Sequence, residues 1–257
     1  MVITPSQIAV FLLVLARIAG LFLSAPIISA RSVPAFIKIG LAVWLAVTLW
    51  FVIPLPYGIP EGNVLFVMSL LLEVFIGYII GFVCNLIIQS VQAAGDIADV
   101  QMGLSVANIL SPTTGLMTSI IGSLTFYIAL VVFLVANGHH MVFSAIHQSF
   151  TALPILGLLK TSNVNFIYQM IELINFFWLT ALRLAAPSLI LIFLSDFSFG
   201  IVSRVAPQVN VFMLGFQVKP ALGLLGLLLT IPLFTKQISE LIGTMGGEIA
   251  KAFMLLR

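Results

Sequence analysis

Long runs of apolar residues constrain this sequence more than any other feature. Seven windows, at about residues 8–28, 36–55, 64–92, 119–136, 141–158, 168–195 and 211–234, each approach or exceed the roughly 20 residues needed to cross a bilayer's hydrocarbon core as a helix. Inside lipid every backbone N–H and C=O must be satisfied within the protein, which leaves helices or a closed barrel. No apolar–polar alternation of period two runs through the windows, which disfavours a barrel. The expected fold class is therefore all-α, a polytopic membrane protein. The window at 141–158 holds His147, Gln148 and Pro154 and reads as a re-entrant or interfacial piece, so about six hydrophobic segments are expected to span. Asp, Glu, Lys and Arg make up 7% of the chain, against about 25% in an average soluble domain, which leaves no room for a separate soluble domain. A net charge of +2 with no charge run gives nucleic acid nothing to bind.

The start of the chain lacks a basic n-region and carries Arg17 within its apolar run, so it reads as a retained first span and not as a cleaved signal. Cys84, the single cysteine, lies in an apolar window and reads as a packing residue. Lys236, Lys251 and Arg257 put a basic cluster at the C-terminal end, which is expected to be cytoplasmic.

Charges inside the windows narrow the reading. Arg17, Glu73 and Arg183 lie well within theirs, where each costs about 2.5–3.5 kcal/mol at the bilayer centre on insertion scales. They are expected to pair with one another or with partner subunits and hold helices in register; a proton or ion relay is the competing reading. From Glu73 the third window repeats small or polar residues every four positions, at Gly77, Gly81, Asn85 and Gln89. A helix drifts only about 40° per such step, so the row forms one face that avoids lipid. Gly77 and Gly81 allow close backbone approach, so that face packs on protein or lines a polar path. Pro187, Pro220 and Pro232 predict kinks or breaks in the late windows. Asp196, Arg204 and Lys219 gather around a bend, which points to intersubunit pairing in preference to a cavity.

Signatures of catalysis are missing. His139 and His140 are adjacent in "ANGHH", where Asn137 and Gly138 are expected to make a turn, and with His147 they complete the histidines. There is no HExxH, P-loop or dinucleotide fingerprint and no GxSxG elbow. Asp196 has no second aspartate within another span, since Asp96 and Asp99 are expected at a helix end, in the polar loop. A non-enzymatic chain without metal or cofactor is expected.

Four blocks then occur in order: "RIAGLFLSAPIISARSVPAFIKIGLA", "QMGLSVANILSPTTG", "NGHH" followed by "SFTALP", and "DFSFGIVSRVAPQVNVFMLGFQVK". Together they resemble the FliR family, export-gate subunits of the bacterial flagellar type III secretion apparatus. The resemblance covers nearly the whole chain, and the last block is the most specific. Two positions depart from the family pattern: Ser111 stands where Asp is usual and Gln217 where Pro is usual. The wording of the blocks resembles the flagellar branch more than the virulence-associated injectisome branch.

The resemblance implies a single integral-membrane domain over 1–257, with a FliP-like portion at 1–160 and a FliQ-like hairpin and tail at 161–257. It implies kinked hairpins assembled with FliP and FliQ homologues into a closed helical gate in the inner membrane, at the flagellar basal body. FlhB and FlhA homologues are nearby, and unfolded flagellar subunits leave through the pore. It also implies that residues near 100–117 enter the lumen as a plug, with Gln101, Met102, Gly103, Leu104, Ser105, Val106, Asn108, Ile109, Pro112 and Gly115 forming it. Under the same resemblance Arg17, Glu73, Arg183, Asp196, Arg204 and Lys219 are candidate buried or intersubunit charges. A different reading, a proton-coupled transporter of small solutes using Glu73 or Asp196, requires an inverted repeat that the sequence lacks.

Overall fold

A computed structural model describes residues 4–26, 33–53, 63–105, 119–156 and 164–256. Within them the chain forms seven helices: α1 (Pro5–Ser24), α2 (Ala35–Val52), α3 (Asn63–Met102), α4 (Ile120–Val135), α5 (Gly138–Ala152), α6 (Val164–Val205) and α7 (Val211–Leu256). No strand occurs among the described residues, and the fold is that of an all-α polytopic membrane protein. Five helices are long and apolar enough to cross a bilayer, or six if the bent pair α4 and α5 is counted as one span. The weak window at 141–158 is the second arm of that pair.

Local chemistry explains where the helices begin. Pro5 occupies the first position of α1, and the Gln7 side chain reaches back to accept the Thr4 amide at 3.0 Å; a proline there loses no helical hydrogen bond. Ser119 caps α4 by accepting the Gly122 amide at 2.7 Å. The turn before α5 rests on Asn137 alone, which sits in the left-handed region at φ 58°, while Gly138 is already helical.

Three expectations are corrected. Helix α3 continues to Met102, past the end of its apolar window at 92, so Asp96 and Asp99 lie inside the helix and not in a loop. Gln101 and Met102, the first residues assigned to the plug, are its last helical residues. Helices α6 and α7 run without interruption through Pro187, Pro220 and Pro232, so of the kinks or breaks expected there, breaks do not occur.

The chain packs as two compact units. The first takes 1–86, 137–173 and 242–257. Its core is built on one stripe of α1, with Leu13, Val14, Ile18 and Leu21 buried, against Ile76, Ile80 and Val83 of α3 and Ile146 and Phe150 of α5. Here α1 and α3 meet backbone to backbone. A Cβ added to Gly77 would lie 2.8 Å from the carbonyl carbon of Arg17, and one added to Gly20 would lie 2.8 Å from that of Val74. Gly81 faces Ser24 and the Leu21 carbonyl, and the Ser24 hydroxyl donates to the Tyr78 carbonyl at 2.8 Å. The first half of the row beginning at Glu73 is thus packed on protein, while Asn85 and Gln89 are half-buried.

The second unit takes 87–136 and 174–241. Its core includes Ile88, Val91 and Ala98 of α3, Leu184 and Ile192 of α6, and Leu227, Phe234 and Ile238 of α7. Gly95 lets α3 approach α4 at Gly122 and Thr125, and Gly226 lets α7 approach α6 at Ser188.

Candidate functional site

Two charged nodes stand out, one in each unit. In the first, Arg17 is fully buried and Glu73 almost so. The Arg17 Nε donates to Glu73 Oε2 at 2.5 Å, Nη1 to the Ser149 Oγ at 3.1 Å and Nη2 to the Leu153 carbonyl at 3.0 Å. Its Cζ stands 4.1 Å above the Phe150 ring. Glu73 also accepts the amide of Leu156, which adopts φ 68°, a left-handed conformation costly for a leucine. One guanidinium therefore ties α1 to α3, to α5 and to the turn after α5. All three nitrogens of its planar fork donate, and its face lies over the Phe150 ring. Such a node holds helices in register, which is one of the two outcomes the sequence left open for Arg17 and Glu73.

The second node lies where α3 ends. Met102 is completely buried, and a Cβ on Gly223 of α7 would lie 2.6 Å from its Cγ. Gly103 follows at φ +79°, with the Phe216 ring 3.1 Å from the position of its missing Cβ. Beside these contacts Lys219 Nζ meets Asp196 Oδ1 at 2.5 Å, joining α7 to α6. A cavity of about 460 Å³ opens here, walled by Gln101, Gly103, Asp196, Phe199, Phe216 and Lys219 among others. One turn earlier on α3, the buried Asp99 accepts the Ile121 amide at 3.1 Å, and the Asp96 carboxylate lies against Gly122. The two aspartates satisfy the positive N-terminal end of α4.

The remaining candidates are placed as follows. Leu104 and Ser105 are half-buried, and Arg183 and Arg204 are exposed on α6, neither with an ion-pair partner among the described residues. Val106, Asn108, Ile109, Pro112 and Gly115 lie outside the described residues. Sequence reasoning did not find Gly20, Ser149, Leu156, Phe216 or Gly223. Gly20 carried the one usable signal, a small residue one turn after Arg17 as Gly77 is one turn after Glu73.

Fold and nodes together define an all-helical polytopic membrane protein with two charge pairs tied into helix contacts. Residues 8–245 match the model of the family described as bacterial export proteins, family 1, and the chain belongs to that family. It is 33% identical over 219 residues to the flagellar biosynthetic protein FliR of Bacillus subtilis, covering 85% of this chain and 84% of the relative. FliR of Escherichia coli is 30% identical over 210 residues, covering 82% of this chain and 79% of that protein. The Yop proteins translocation protein T of Yersinia pestis is 30% identical over 219 residues, 82% of each chain. The resemblance to FliR read from the four blocks is borne out.

Proposed function

We propose that this chain is a non-enzymatic subunit of the bacterial flagellar type III protein-export gate. It sits in the inner membrane at the flagellar basal body and assembles with FliP and FliQ homologues, beside FlhB and FlhA homologues, into the closed pore through which unfolded flagellar proteins leave. Family membership supports an export role, as do relatives named for flagellar biosynthesis and for protein translocation.

The observation that carries the assembly is a mismatch of length. In α6, exposed large apolar side chains run from Ile174 at 48% to Val205 at 79%, about 46 Å of helix at 1.5 Å per residue. A hydrocarbon core of about 30 Å covers at most about 39 Å of a helix tilted by 40°. The apolar surface left over requires protein, and neighbouring gate subunits supply it.

In this assembly residues 1–160 are the FliP-like portion and 161–257 the FliQ-like hairpin and tail. The segment from Gln101 to Gly115 enters the lumen and blocks it, and the exposed Arg183 and Arg204 pair with neighbouring subunits. Co-expression with FliP and FliQ homologues and purification in detergent tests this reading, and a stable complex of all three is expected. A stable monomer that takes up a small solute by itself in liposomes, with uptake lost in Glu73→Gln, would replace the gate by a transporter.

A further inference from the structure

We infer that the Asp196–Lys219 pair, the Pro220 turn and the seating of Met102 and Gly103 on α7 form a latch that holds the root of the plug segment. The inference deepens the gate reading and depends on it only for what release of the latch would do.

Four observations converge on one turn of α7. Pro220 has no amide hydrogen, so the carbonyl of Phe216, four residues earlier, loses its helical donor and the helix is weakest across this turn. The two residues of α7 that hold the end of α3 lie on either side of that weak point: Phe216 packs on Gly103 before it and Gly223 accommodates Met102 after it. Lys219, adjacent to the proline, is tied across to Asp196 of α6. With side-chain exposures of 26% and 45%, the tie stands in partly aqueous surroundings, where an ion pair is weak enough to be released. Finally, the cavity of about 460 Å³ beside Gln101 and Gly103 gives the displaced residues somewhere to go. Gly103 adopts a positive φ, and a glycine can leave that conformation without steric penalty. A bend of α7 at Pro220 therefore moves Phe216 relative to Gly223 and unseats the end of α3, and the Asp196–Lys219 tie opposes the bend.

The test uses the full complex in membranes, with Ser105→Cys as a maleimide reporter. The chain's own cysteine, Cys84, is fully buried and contributes little background. Lys219→Gln and Asp196→Asn are each expected to raise the labelling rate about two- to fivefold, the factor matching an exposed pair's strength. The exchanged pair Asp196→Lys with Lys219→Asp is expected to return it to near the parent rate. Pro220→Ala, which gives Phe216 back its donor, is expected to lower it. Unchanged labelling in both single variants would overturn the latch, as would a rise that the exchange does not reverse. Ion leak through the same membranes reads the gate separately. Labelling that responds without any leak leaves the latch standing and removes the plug role.

Discussion

Replacing Glu73 by leucine should be among the most damaging single changes available to this chain. Arg17 is 0% exposed, and among the described residues Glu73 is the carboxylate that pairs with it. Without that carboxylate the guanidinium keeps two neutral acceptors, the Ser149 hydroxyl and the Leu153 carbonyl, and the face of Phe150. Neutral hydrogen bonds are worth about 1 kcal/mol each, while stranding one member of a buried ion pair costs about 3–5 kcal/mol. Relaxation does not rescue it, because Gly77 lies one turn from Glu73 and presses α3 against the α1 backbone, so the charge has no route to water. Arg17→Leu should cost a similar amount, leaving Glu73 with the Leu156 amide. The double variant Arg17→Leu/Glu73→Leu should recover most of the loss, since exchanging a whole buried pair for apolar side chains is often near neutral. Unfolding in detergent, followed by fluorescence of Trp44, Trp50 and Trp178, closes the cycle. A coupling above about 2 kcal/mol is expected. Single variants within about 1 kcal/mol of the parent, or a double variant as damaged as the two losses summed, would refute the reasoning.

The glycines separate cleanly by what they touch. Gly77→Ala drives a methyl into the Arg17 backbone and should cost at least about 1–3 kcal/mol, whereas Gly40→Ala on α2 meets nothing within 4 Å and should add about 0.5–1 kcal/mol of stability through helix propensity; the same unfolding measurement compares them. Asp99→Ala should cost about 1–2 kcal/mol by leaving the Ile121 amide without its acceptor, and faster hydrogen exchange confined to the first turn of α4 should accompany it. Asp99→Asn, which keeps an acceptor oxygen, should lose much less.

Hydropathy located the helices because it measures what a span needs, a run of side chains that lipid accepts. It stopped short on α3 because Ser90, Gln92, Asp96, Asp99 and Gln101 end the apolar run while the backbone hydrogen bonding continues to Met102. Those polar groups are satisfied by the chain itself: Asp99 by the start of α4, Ser90 by the Ile87 carbonyl of its own helix. That Arg17 and Glu73 would find partners followed from the cost of leaving them in lipid; that they find each other, 56 positions apart, required the packing of α1 on α3. The helix continuity at Pro187, Pro220 and Pro232 was hidden for a similar reason. A proline removes one hydrogen bond, but it ends a helix only when neighbouring turns are free to unwind, and neighbours such as Leu184 and Leu227 are buried.

The sequence grouped six charges as candidates of one kind, and their surroundings divide the four that pair within the chain into two kinds with opposite mechanical uses. The Arg17–Glu73 pair is exposed by 0% and 4%, and separating it strands a charge where water does not reach, so the helices it joins move together or not at all. The Lys219–Asp196 pair is exposed by 26% and 45%, so water takes over each partner as it leaves and separation costs little. A subunit of the gate proposed above needs both properties: helices held in fixed register and a contact at the root of the proposed plug that yields. The deep pair meets the first need beside a close glycine contact that also resists sliding. The shallow pair stands beside the helical turn weakened by Pro220, and it lines the same cavity as Gln101 and Gly103, at the start of the segment proposed to block the pore. Strengthening the shallow pair, as by Lys219→Arg, should then slow export without changing assembly, because the fork of an arginine grips a carboxylate through two donors where lysine offers a single point charge.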